Sequence, residues 1–481
     1  MQTIRAILTL ISLAGLALSC NQSTDESPSS TADSGQASTD SGTDSSDLKP
    51  YQQIPVANCG MSPYTLIDPA ELGEVVDSVE LPGMDISKET IDAYLQFGGI
   101  NWEGVYGANV FQFRYTTQDR GQRVEATALL AYPTGEDLPD PLPLAIFPAA
   151  TLGFSDACTS SSRFELQVAA AAFASQGFVA VFPDYIGLTG MGEPSTQIHP
   201  YLIAEPAAIA SWDALVAGEK LFASLETGNN TSKKTILTGA SQGAQTALFA
   251  ERFGYYYTPQ YDVVGIIAFA APTDFIAQAH HAVNEWTNNS FYHIAMLTAM
   301  NQWYGLGFDM SNILTNTEPH YLADNVLELF YSPDSCAPDE EIFDLLNATE
   351  STFNPEWVNT ILTSGIDSID TWKCPIEQAS LHKTSVPANR VVPTLMVYGE
   401  EDPVVPPNNM FPSYQALCAE GLELEYSMCQ GASHTDTIYW SLAEAIDWAQ
   451  ARIDGTPSSS EICTQRAPHC CSGSDPQVCT P

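Results

Sequence analysis

Ser241, Asp402 and His434 are three side chains whose types, order and settings fit one chemistry, nucleophilic attack on a carbonyl carbon. Ser241 stands in Gly239-Ala240-Ser241-Gln242-Gly243, after the aliphatic run Thr235-Ile236-Leu237-Thr238 and before the helix-forming run Ala244 to Ala250. Strand, tight turn and helix in that order read as a nucleophile elbow. The two glycines are needed because the serine is held in strained backbone and a neighbouring Cβ would collide with the flanking strand and helix. The turn lifts the serine hydroxyl above the sheet and leaves the backbone N–H of Gln242 free at the helix start, where it can stabilise an oxyanion. A serine hydroxyl is a poor nucleophile at neutral pH, so it needs a histidine base, and the base needs a carboxylate to fix its tautomer. The chain supplies both after the elbow. Asp402 lies in Gly399-Glu400-Glu401-Asp402-Pro403-Val404-Val405-Pro406; Glu400 and Glu401 are alternatives, but the Gly-x-x-Asp-x-x-Val-Pro layout singles out Asp402. His434 lies in a small-residue loop, Gln430-Gly431-Ala432-Ser433-His434-Thr435, between a short strand and the last helix. His199, His280, His281, His293, His320, His382 and His469 fall in the wrong order or in other regions and read as surface or packing residues.

These side chains need a scaffold, and the chain patterns one. Val110 to Thr116 and Val124 to Tyr132 alternate around an Asp119-Arg120-Gly121 turn, which predicts a β-hairpin opening the core sheet. Continuous apolar strands follow at Leu142 to Phe147, Phe178 to Phe182, the elbow strand, Val263 to Ala270 and Val392 to Gly399, separated by helical runs at Arg163 to Gln176 and Glu205 to Leu225. Strands without alternation, separated by helices, imply a mostly parallel sheet with helices on both faces. A helix at Lys88 to Phe97 precedes this core, and a helix at Pro412 to Glu420, a strand around Glu423 to Met428 and a helix at Thr437 to Ile453 close it. Between about 275 and 388 no strand pattern occurs. Aromatic and Met residues, with helical runs such as Tyr321 to Tyr331 and Glu341 to Leu346, predict a helical cap inserted in the core. The loop after the Leu142 to Phe147 strand should carry a second oxyanion donor, the backbone N–H of Ala150 or of Thr151.

In its motif order the chain resembles the secretory lipase branch of the α/β-hydrolases. The resemblance rests on Phe182-Pro183-Asp184-Tyr185-Ile186-Gly187-Leu188, His199-Pro200-Tyr201-Leu202, the elbow, Gly399 to Pro406 and Gly431-Ala432-Ser433-His434, and spans about residues 106 to 453. It implies an α/β-hydrolase fold with an inserted helical cap that shapes an acyl pocket, Ser241 as nucleophile, Asp402 as acid and His434 as base, with no metal or organic cofactor. One departure bears on substrate. Where that family usually reads His-Gly-Thr in the oxyanion loop, this chain reads Ala149-Ala150-Thr151; a backbone donor survives the change, and the acyl preference does not transfer.

The ends of the chain carry a different message. Residues 1 to 20 hold one basic residue, Arg5, an apolar run from Ile7 to Leu18 and small residues before Cys20, which reads as a secretion signal. Leu16-Ala17-Leu18-Ser19-Cys20 resembles a bacterial lipoprotein signal, with Ala17 where leucine is usual, and makes Cys20 the expected lipid-attachment residue. Residues 21–50 are mostly Ser, Thr, Asp, Gly and Gln and predict a disordered tether; 51–105 form an N-terminal extension, 106–274 and 389–453 the core, 275–388 the cap, and 454–481 a Cys-rich tail. Of 11 cysteines, ten remain after Cys20, enough for five disulfides in an exported protein, with Cys418–Cys429 and pairs within the tail as the nearby candidates. With 16 basic against 58 acidic residues, formal charge -42, the surface repels nucleic acid and anionic membranes. The expected partner is a small-molecule or lipid ester, and the expected place is the bacterial cell envelope, reached through the lipid anchor, or the exterior. An aminopeptidase on the same fold and a catalytically inert surface binding module are the rival readings, since a triad alone does not separate ester from amide.

Overall fold

A computed structural model describes residues 48–98, 100, 102–316, 321–331, 349–457 and 462–479. The expected signal with Cys20, nearly all of the expected tether and the helix expected at Glu341 to Leu346 lie outside these residues. A ten-stranded mixed sheet forms the centre, in the order β1-β2-β3-β5-β4-β6-β7-β8-β9-β10. Its strands are β1 (Val75–Glu80), β2 (Gly107–Asp119), β3 (Gln122–Thr134), β4 (Leu142–Ile146), β5 (Val179–Pro183), β6 (Thr231–Ala240), β7 (Asp262–Phe269), β8 (Thr394–Gly399), β9 (Leu424–Cys429) and β10 (Cys463–Gln465). The β2–β3 pair is the hairpin read from the alternation, in unbroken antiparallel register from Gly107↔Thr134 to Asp119↔Gln122. Its two loop residues, Arg120 and Gly121, take φ of 47° and 71°, the left-handed pair that matches strand twist in a two-residue turn. The hairpin does not open the sheet, however. β1 precedes it and pairs antiparallel with β2. Most of β1 is exposed, so no buried alternation marks it in the sequence.

From β5 onward every pairing is parallel. Helices α1 (Lys88–Phe97), α2 (Phe164–Ala174), α3 (Ala204–Ser224) and α4 (Gln242–Tyr257) lie before β7 in the chain. Helices α5 (Phe275–Asn284), α6 (Asn288–Trp303), α7 (Leu322–Tyr331), α8 (Thr349–Thr352), α9 (Pro355–Ser364) and α10 (Asp370–Ala379) lie between β7 and β8. Helices α11 (Pro407–Ala419) and α12 (His434–Ile453) follow. The apolar strands are covered twice. Ala145, Ala180, Ile236, Ile267 and Leu395 pack with Ala170 to Ala174 of α2 and Ala445 to Ala449 of α12. Leu144, Ile146, Val181, Leu237 and Met396 pack on the other face with Trp212 of α3, Phe249 of α4 and Met410 of α11. Each residue along such a strand therefore meets a helix, which is why alternation is missing. A separate apolar cluster joins Phe291, Met296, Met300 and Trp372 of the inserted helices to Phe154 and Tyr201.

The disulfides correct one expectation. Cys418 pairs with Cys463 and Cys429 with Cys471, not with each other. Cys418 is on α11 and Cys429 ends β9, and each faces a tail residue because the tail runs back along the sheet edge as β10, Cys463↔Leu424 in parallel register. The tail also closes on itself through Cys470–Cys479, and Cys59–Cys374 ties the N-terminal extension to α10. Two helix starts also move. α11 begins at Pro407, a proline at the first helical position, rather than at Pro412. α12 begins at His434 itself, which is thus the first residue of a helix and not a loop residue.

Candidate active site

Ser241 follows β6 directly and precedes the first residue of α4, with φ 53° and ψ −116°, a strained backbone for a residue bearing a Cβ. Its own N–H continues the sheet ladder to Phe269 O at 2.8 Å, and Ala270 N–H does the same to Val397 O at 2.7 Å. The glycines are there for space. A Cβ on Gly239 would stand 2.4 Å from the Gly243 carbonyl, and a Cβ on Gly243 would stand 2.1 Å from Pro148 O. The elbow is therefore closed on itself and pressed against the loop after β4. Gln242 opens α4, so its N–H has no intrahelical acceptor.

Asp402 follows β8 and His434 follows β9, beyond β7 along the same carboxyl edge of the sheet. Asp402 Oδ2 accepts from His434 Nδ1 at 2.7 Å, while Asp402 Oδ1 accepts from the N–H groups of Val404 at 2.8 Å and Val405 at 2.9 Å. Three donors saturate a carboxylate whose side chain is fully buried, and the His434 side chain is 21% exposed. With Nδ1 donating to the acid, Nε2 is left to act as a base. His434 is held by a capping box: Ser433 Oγ accepts from Asp436 N, and Asp436 Oδ2 accepts from Ser433 N. The β8 end is pressed to that cap, since a Cβ on Gly399 would lie 2.4 Å from Ala432 O. Of the alternative acids, Glu401 is exposed and Glu400 accepts from the Gly431 N–H at 3.0 Å, bracing the histidine loop.

The loop after β4 is fixed from three sides. Gly243 abuts Pro148 and Ala149, Tyr185 Oη donates to Ala149 O at 2.6 Å, and Phe154 packs between Tyr201 (4.9 Å between ring centroids) and Tyr331 (5.5 Å). Ala150 and Thr151 are half-buried within it. A hydrogen-bond chain joins Thr151 to Gln242 and onward to His199, which the sequence reading set aside as a surface or packing residue. His199 Nδ1 donates to Ile186 O at 3.1 Å, which leaves Nε2 as an acceptor for Gln242 Nε2 at 2.9 Å. Gln242 Oε1 then faces Thr151 Oγ1 at 3.4 Å, and Thr151 Oγ1 meets Tyr201 Oη at 2.9 Å. Burial holds His199 down to a pKa of about 4, so it is neutral at ordinary pH, as this acceptor role requires. The available signal was His199-Pro200-Tyr201 standing just before an apolar helix, but nothing in that signal names Gln242 as the partner.

The fold has solved counterparts. The rice cell wall degrading esterase LipA from Xanthomonas oryzae aligns over 80% of this chain and 99% of its own, at 20% identity and a TM-score of 0.64. Lipase A from Candida antarctica, in its closed state, aligns over 90% of this chain and 93% of its own, at 16% identity and a TM-score of 0.57. At these identities the likeness is one of fold, the α/β-hydrolase fold. A search of the curated proteins finds no match. The family profile described as secretory lipase matches residues 154–461, more than half of the sequence, and the chain belongs to that family.

Proposed function

We propose that this chain is an exported serine ester hydrolase of the carboxylesterase or lipase type. The observation that carries the reading is the saturated Asp402–His434 pair on the sheet edge where strained Ser241 stands. In the proposed cycle His434 Nε2 takes the Ser241 proton as Oγ attacks the ester carbonyl. The Gln242 N–H and an N–H of the Ala150-Thr151 loop hold the oxyanion. The C–O bond to the alcohol breaks as His434 returns the proton to it, which leaves an acyl-enzyme. Water, deprotonated by His434, attacks the acyl carbon and frees the acid and Ser241. Asp402 orients the imidazole and stabilises its charged form throughout. The disulfides and the family support export, and lipidation at Cys20 is the proposed route to the membrane.

Hydrolysis of p-nitrophenyl esters from acetate to palmitate, wild type beside Ser241→Ala, tests this. The expected result is ester turnover that Ser241→Ala lowers by at least about 10⁴-fold, with an optimum chain length that separates carboxylesterase from lipase. Turnover of aminoacyl anilides but not esters would replace the reading with a peptidase. Absence of both, with no fluorophosphonate labelling at Ser241, would leave an inert binding module.

A further inference from the structure

Away from the catalytic edge, a small, partly open cavity of about 30 Å³ lies near the starts of β7, β8 and β9. Its lining includes Arg252 and Glu251 of α4, Arg390 of the segment entering β8, and apolar groups of Ile266, Leu381 and Val392. In a chain with only 16 basic residues, two arginines meet here. Arg252 is 4% exposed. Its Nη1 donates to Val386 O at 2.8 Å, while its buried Nη2 has no protein acceptor among the described residues. Arg390 gives Nε to Glu251 Oε1 at 3.0 Å, and its Nη2 is likewise buried without a protein acceptor. Glu251 is thus engaged by Arg390, and Arg252 forms no ion pair among the described residues. Two guanidinium charges against one carboxylate leave the cavity wall with a net positive charge in apolar surroundings. Burial pulls the Arg252 pKa down, and Glu251 and Glu420 only partly offset that pull.

A buried charge of this kind is costly unless something neutralises it. The space is on the order of one small ion or one to two waters, too small to enclose a whole carboxylate or phosphate ligand. A water would satisfy an N–H but not the charge. We propose that this cavity is a binding site for one monatomic anion, chloride in the first instance, held between Arg252 and Arg390. The ion ties α4, the helix that carries the elbow, to the segment that enters β8, and it is independent of the hydrolase chemistry.

Thermal unfolding of the full chain in sodium chloride and sodium bromide against sodium gluconate, at one ionic strength, separates binding from screening of the acidic surface. The expected result is a higher Tm in the halides, rising on the order of 2 °C for each tenfold increase in halide above half-saturation. Arg252→Gln and Arg390→Gln should erase the difference. Ser241→Ala and the surface variant Lys233→Gln should keep it. Should either arginine variant fail to fold, bromide-soaked crystals of the wild type decide the matter. An anomalous peak within hydrogen-bonding distance of Arg252 Nη2 supports the site. Equal Tm values in halide and gluconate, or a water with no bromide peak, overturn it.

Discussion

His199 shows what a single buried side chain contributes to a site it does not enter. Its tautomer is set by Ile186 O, and a chain of side-chain hydrogen bonds runs from it through Gln242 to Thr151, two of the residues proposed to hold the oxyanion. It is a positioning residue, and its loss should appear in kcat rather than KM. His199→Leu is expected to lower kcat for p-nitrophenyl butyrate by about 10–100-fold, with KM within about twofold, because a misaligned donor is felt mainly at the developing oxyanion. His199→Gln retains an acceptor for Gln242 and should recover most of the loss. Steady-state kinetics beside urea midpoints check this. Equal falls in kcat for both variants, tracking stability alone, would make His199 a packing residue only. Ser241, Asp402 and His434, the residues proposed to react, could be picked out because each sits in a short local pattern. His199 was not, because its role depends on a partner 43 positions away.

At the scale of elements, the strand–elbow–helix unit works because two backbones touch where a side chain would normally stand. Gly243→Ala would drive a Cβ to 2.1 Å from Pro148 O, and only displacement of the loop carrying Ala150 and Thr151 can relieve it. Overpacking of this kind costs about 1–3 kcal/mol. The expected outcome is a lower urea midpoint together with loss of fluorophosphonate labelling at Ser241. Gly98→Ala is the control, because its Cβ would meet nothing nearer than 3.5 Å in a right-handed backbone of φ −72°, and it should leave both unchanged. Most core strands and helices were readable from their apolar runs, though α11 and α12 begin five and three residues earlier than those runs suggest (412 − 407 and 437 − 434). β1 and β10 were not: β1 is mostly exposed, and β10 is three residues long and is fixed by disulfides around it rather than by its own pattern.

At the scale of the whole molecule, buried ionisable groups pull stability in opposite directions with pH. Burial lifts Asp213 to about 8 and Glu205 to about 7, despite hydrogen bonds from Thr117 and Tyr257 to the first and from Tyr64 to the second. An acid raised in the folded state is favoured there as the neutral form. Its unfolded counterpart ionises near pH 4, so stability falls as pH rises from about 4 towards 8. His199, at about 4, and His293, at about 3, act in the opposite sense. The unfolded imidazole takes a proton below about pH 6.5 and the buried one does not, so stability falls as pH drops from there towards 4. Between about pH 4 and 6.5 the two acids and the two histidines oppose one another, and above 6.5 only the acids still change, so chemical denaturation across pH 4 to 9 should show stability level to about 6.5 and falling from there to about 8. Asp213→Asn, which mimics the neutral acid, should weaken the fall above 6.5 and, with one opposing acid gone, let stability rise with pH between 4 and 6.5; an unchanged profile would refute the assignment.

The sequence by itself determined the α/β architecture, the elbow and the order of serine, acid and histidine. Those properties are local: a run of apolar residues, a glycine spacing and a turn each act over a few positions. Tertiary structure alone decided which cysteines meet, that the tail extends the sheet, that His434 begins a helix beside Asp402, and that His199 bonds Gln242. Each depends on contacts between residues far apart in the chain. Such contacts follow from how helices pack on a twisted sheet, and no short window of residues encodes them.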